Sequence, residues 1–67
     1  MTITIEKANE VINNLKDFLV NEITWSRGMK LETYEENGWT YKVFYDNGTP
    51  KKIEEYNHRE LIEIYVK

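Results

Sequence analysis

From Ile5 to Ile23 the apolar residues Ile5, Ala8, Val11, Ile12, Leu15, Phe18, Leu19 and Ile23 follow mostly in steps of three and four. That spacing lines one face of an α-helix and predicts an amphipathic helix at the start of the chain. Lys7, Asn9, Glu10, Asn13, Asn14, Lys16, Asp17 and Asn21 fill the opposite face. Thr4 stands where an N-capping hydroxyl is expected, Glu6 suits the positive end of the helix dipole, and Gly28, just after Arg27, is the expected stop. Asn is a poor helix former, so this helix depends on packing against something else.

Beyond Gly28 the pattern changes to alternation. Three runs, about Met29 to Glu35, Trp39 to Tyr45 and Lys51 to Tyr56, are separated by Glu36-Asn37-Gly38 and Asp46-Asn47-Gly48. Asn-Gly between alternating runs signals a β-hairpin, because both residues tolerate positive φ. Loop length then sets the register. A two-residue loop places Leu31 opposite Phe44 and Tyr34 opposite Tyr41, which divides the apolar side chains between the faces. A three-residue loop with a bulge pairs Leu31 with Val43, Met29 with Tyr45 and Thr33 with Tyr41, sets Glu32 against Lys42, and in the second hairpin sets Ile53 opposite Tyr41. The bulged loops collect the apolar residues on one face, so the pattern favours them, since a one-residue slip turns every side chain of a strand over. Trp39, Tyr41 and Tyr45 then face the core, while Tyr34 and Phe44 share the other face with Lys30, Glu32, Lys42 and Lys52.

Pro50 fits the entry to the third strand, where no ladder donor is required. In the last segment Asn57 and Glu60 could open a helix, but the β-branched Ile62, Ile64 and Val66 alternate on one face and favour a strand. The expected fold is a single α+β domain over 1–67: an N-terminal amphipathic helix packed on one face of a three- or four-stranded antiparallel β-meander.

At 67 residues without Cys, the chain has packing and oligomerisation as its only staples, and a homodimer is one expectation. Nine basic and twelve acidic residues are interspersed, for a net charge of −3, unlike the basic stripe of a duplex-binding protein. No stretch is long and apolar enough for a membrane span, and Met1 to Glu6 lacks the regions of a signal peptide, so a cytoplasmic, membrane-free protein is expected. Asn47-Gly48-Thr49 has the form of a glycosylation sequon and is read as a turn.

Chemistry-bearing patterns are sparse. His58, the one histidine, sits beside Arg59 with no nucleophile or orienting partner in the sequence, and a lone His makes a transition-metal site a poor reading. Glu35-Glu36 and Glu54-Glu55 are neighbours that point to opposite faces of a strand, so neither pair forms a two-carboxylate site. The glycines are isolated, so no phosphate loop exists. No catalytic residue, cofactor or metal is assigned, and the chain reads as a non-enzyme.

The expectation is a small protein-binding module: a regulator, inhibitor or accessory subunit acting through an exposed sheet face or edge. Lys30, Glu32, Tyr34, Lys42, Phe44, Lys52 and Tyr56 are its candidate contact residues. The abundance of Asn, Lys, Ile and Glu suits an AT-rich bacterial or phage genome, which admits an anti-defence inhibitor such as an anti-CRISPR. The alternative is a single-strand nucleic-acid binder that stacks bases on Phe44 and Tyr34 with the lysines on phosphates.

Overall fold

A computed structural model describes residues 1–25 and 28–67. In chain order it has β1 (Thr2–Ile3), α1 (Ile5–Leu15), a 3₁₀ turn (Lys16–Phe18), β2 (Leu19–Thr24), β3 (Lys30–Glu36), β4 (Trp39–Asp46), β5 (Thr49–Asn57) and β6 (Glu60–Val66). The six strands form one sheet in the order β1-β6-β5-β4-β3-β2. All neighbours are antiparallel except β1, which runs parallel to β6. The fold is therefore α+β, with a larger and mixed sheet in place of the expected three- or four-stranded meander. Strand β6 resolves the ambiguity of the last segment in favour of the β-branched alternation.

Thr4 caps α1 as expected, its Oγ1 accepting from the Lys7 amide at 3.2 Å. The helix ends at Leu15, however, well short of Ile23. Asn13 and Asn14 weaken its last turn, no basic residue stands there to complement the dipole, and Asp17 follows. Beyond the 3₁₀ turn, Val20, Ile23 and Thr24 are β-branched and prefer the pleated pairing offered by the edge of β3. The three- and four-residue spacing of Phe18, Leu19 and Ile23 thus continues past the real helix by coincidence, and all three are exposed. Arg27, the expected last helical residue, lies outside the described residues; Gly28 follows β2 and belongs to no helix.

The hairpin registers correct the bulged-loop expectation. Glu36 pairs with Trp39 across a two-residue loop in which Asn37 and Gly38 have φ of 49° and 83°. Positive φ at both central residues is the condition for a type I′ turn, whose twist matches that of the strands. Asn47-Gly48 and His58-Arg59 close the next two hairpins with the same signs of φ. Leu31 therefore faces Phe44, Tyr34 faces Tyr41, and Glu32 faces Val43, not Lys42. Ile53 pairs with Val43, not Tyr41. A bulge does occur, but away from the turn: Pro50 pairs with Tyr45 and Lys52 with Phe44, leaving Lys51 extra, beside a proline that has no ladder donor to lose.

Helix α1 lies on one face of the sheet. Ala8 and Leu15 pack with Tyr34, Val43, Ile53 and Ile64, and Ile3, Val11, Ile12, Tyr41, Tyr45 and Val66 surround them. Among the described residues no helix is long and apolar enough to cross a membrane.

Candidate binding face of the sheet

Directly paired residues of a sheet share a face. Val43 is fully buried under the helix, so its partners Glu32 and Ile53 mark the covered side. The intervening residues face away: Leu31 and Thr33 from β3, Thr40, Lys42 and Phe44 from β4, Lys52, Glu54 and Tyr56 from β5, Leu61, Glu63 and Tyr65 from β6. No described helix or strand packs over them.

Of the candidate contact residues, Lys42, Phe44, Lys52 and Tyr56 come together on this open face. Lys30, Glu32 and Tyr34 do not. The two-residue loop turns β3 over relative to the expected register, so these three lie on the helix side, Tyr34 only 3% and Glu32 only 8% exposed.

Both groups are built on one pattern. Lys30-Leu31-Glu32-Thr33-Tyr34 and Lys52-Ile53-Glu54-Glu55-Tyr56 each place Lys, Glu and Tyr at alternate positions, hence on one face of a strand. In β3 the Tyr34 hydroxyl donates to Glu32 Oε1 at 2.6 Å and Lys30 Nζ lies 3.4 Å from Glu32 Oε2. In β5 the Tyr56 hydroxyl donates to Glu54 Oε1 at 3.0 Å and Lys52 Nζ lies 3.4 Å from Glu54 Oε2. Near-identical ladders therefore sit on opposite faces: one beneath the helix side, with Leu31 turned outward, and one on the open side, with Ile53 turned into the core. In β6 the Tyr65 hydroxyl donates to Glu63 Oε2 at 2.9 Å and extends the open-face ladder.

Electrostatics separate the two ladders. Burial alone would raise the pKa of Glu32, but hydrogen bonds from Tyr34 and Tyr45 and the Lys30 ammonium outweigh it and hold the carboxyl below its ordinary value of 4.5. Burial, and then the bond to the Glu32 carboxylate, push Tyr34 and Tyr45 well above the ordinary 10.0. On the open face Tyr56 and Tyr65 are raised chiefly by their bonds to Glu54 and Glu63.

The aromatic rings of the open face are already dressed by cations. Lys52 Nζ stands 4.6 Å from the centroid of Phe44, and Lys42 Nζ stands 5.4 Å from that of Tyr56. Glu54, Glu63, Tyr65 and Leu61 belong to the same face without being among the candidate contact residues, and Leu31, expected on the core face, joins them. The repeated Lys-x-Glu-x-Tyr spacing is the signal that marks Glu54 as the anchor between Lys52 and Tyr56. Comparison with protein-family models, curated proteins and solved structures gives no match.

Proposed function

We propose that this chain is a small non-enzymatic protein-binding module, a regulator, inhibitor or accessory subunit, that docks through the open face of its sheet. The supporting observation is the ladder of Lys42, Phe44, Lys52, Glu54 and Tyr56: aromatic rings, both charge signs and a hydroxyl, in contact with one another on a surface that no described helix or strand covers. Such a surface offers aromatic anchors within a polar frame, which is how protein interfaces are built. An anti-defence inhibitor would be one member of this class.

Single-strand nucleic-acid binding is the weaker reading. Tyr34 is buried on the other face and cannot stack a base. Lys52 and Lys42 lie over the rings a base would need, and Glu54 and Glu63 would repel phosphates. Fluorescence anisotropy with labelled single-stranded DNA and RNA tests the choice. The protein-binding reading expects weak association that is insensitive to Phe44→Ala; tight, salt-dependent binding lost in Phe44→Ala would reverse the ranking.

A further inference from the structure

The sheet has two edges, and they are finished differently. At one, β1 caps the end of β6, with the Tyr65 amide donating to the Met1 carbonyl at 2.8 Å and the Lys67 amide to the Ile3 carbonyl at 2.9 Å. At the other, β2 pairs only with β3 among the described residues, and all six of its residues are exposed. Its guards are few: one charge, Glu22, and an irregularity near Val20, with no Lys and no Pro. A register shift at Val20 disturbs its first half, leaving Asn21 to Thr24 in regular pairing.

Main-chain geometry says which groups this edge presents. The Trp25 amide donates inward to the Met29 carbonyl at 2.8 Å. Amides alternate along a strand, so Ile23 and Asn21 also bond inward, and the N–H and C=O groups of Glu22 and Thr24 point outward. The closing pair Glu36–Trp39 bonds β3 to β4 through its even-numbered residues, which leaves the odd ones for β2 and agrees with this assignment.

We propose that a second copy of this chain covers the β2 edge, forming a two-fold antiparallel pair and one continuous sheet across the dimer. This goes beyond the docking face and does not depend on it. Self-complementarity of the edge argues for this occupant and selects the register. The edge offers a row of main-chain donors and acceptors that another extended chain can take over from water all at once. A two-fold at Glu22 would set two carboxylates face to face, a two-fold at Asn21 would need bonds from the disturbed Val20, and a two-fold at Thr24 would pair Glu22 with Ser26, which lies outside the described residues. A two-fold at Ile23 meets none of these obstacles: Glu22 and Thr24 of each copy exchange main-chain bonds with Thr24 and Glu22 of the other. It also joins the apolar side chains of Ile23, 43% exposed, across the axis, beside Trp25, 49% exposed. A domain whose core holds six buried apolar residues, with no disulfide, has oligomerisation as a remaining source of stability.

The chain has no native Cys, which makes the test clean. In Ile23→Cys the two thiols would meet as a non-hydrogen-bonded pair, with Cα atoms about 4.5 Å apart, inside the range a disulfide spans. Mild oxidation should give a covalent dimer in high yield, whereas Leu61→Cys, on β6, should remain monomeric. Analytical ultracentrifugation of the wild-type chain should show a concentration-dependent dimer. Thr24→Pro, which removes an outward amide the fold does not use, should weaken it about tenfold or more while far-ultraviolet circular dichroism is unchanged. A wild-type chain that is monomeric up to its solubility limit overturns the proposal. So does a dimer that withstands Thr24→Pro and gives no cross-link in Ile23→Cys.

Discussion

Glu32 and Glu54 hold the same station in the same Lys-x-Glu-x-Tyr ladder and differ in what surrounds them. Glu32→Ala would leave the buried Tyr34 hydroxyl without its acceptor and should cost about 1–3 kcal/mol. The Glu54 side chain is nearly as enclosed, 13% exposed against 11% for Glu32, but its partner Tyr56 is only half-buried and its hydroxyl can turn to water, so Glu54→Ala should cost less, about 1 kcal/mol. Urea denaturation of the two variants measures the difference. The same residues set the pH response. Because the folded state holds Glu32 below its ordinary 4.5, its contribution is present above that value and is lost as the pH falls through it. Because the folded state raises Tyr34 and Tyr45 above 10.0, their contribution is present below that value and is lost as the pH rises beyond it. Melting temperature against pH should therefore show a plateau that falls at both ends, and Glu32→Gln should flatten the acid shoulder. Nothing in the spacing of residues could tell which of the two ladders would be buried, since that follows from one residue of register.

At the scale of elements, the turns carry the register. Gly38 has φ of 83° with nothing within 4 Å of where a Cβ would stand, so Gly38→Ala should cost only the left-handed backbone penalty, about 1–2 kcal/mol. Gly28 has φ of 71° and a Cβ there would lie 3.1 Å from the Asn47 Cα, a main-chain atom held in its own turn. Gly28→Ala should thus be the more damaging of the two in thermal melts. The hairpin positions were legible from Asn37-Gly38 and Asn47-Gly48, as were β4, the Thr4 cap and the strand character of β6. Loop length was not, because the bulged alternative places Leu31 on the apolar face, whereas the observed pairing leaves Leu31 outside and satisfies Glu32 by hydrogen bonds instead. Side-chain satisfaction of a buried carboxylate is invisible to an apolar count. Strand β2 was hidden for a related reason: its apolar residues extend the helical spacing, and only the unpaired edge of β3 draws them into the sheet.

At the scale of the whole molecule, one helix and one sheet produce a covered face and an open one. Leu15 is buried between them, and Leu15→Ala should cost about 2–5 kcal/mol, enough to unfold a domain of this size. Within β4 the faces alternate residue by residue, so neighbours should separate folding from binding. Tyr45 packs against the core and Phe44 stands on the open side under Lys52. The most direct measurement pairs a thermal melt of Phe44→Ala with a calorimetric titration against a protein partner captured by the wild-type chain. Docking through the open face predicts a melting temperature close to that of the wild type and an affinity lower by about 2 kcal/mol or more, roughly thirtyfold. A folded Phe44→Ala that binds the partner with undiminished affinity would contradict it.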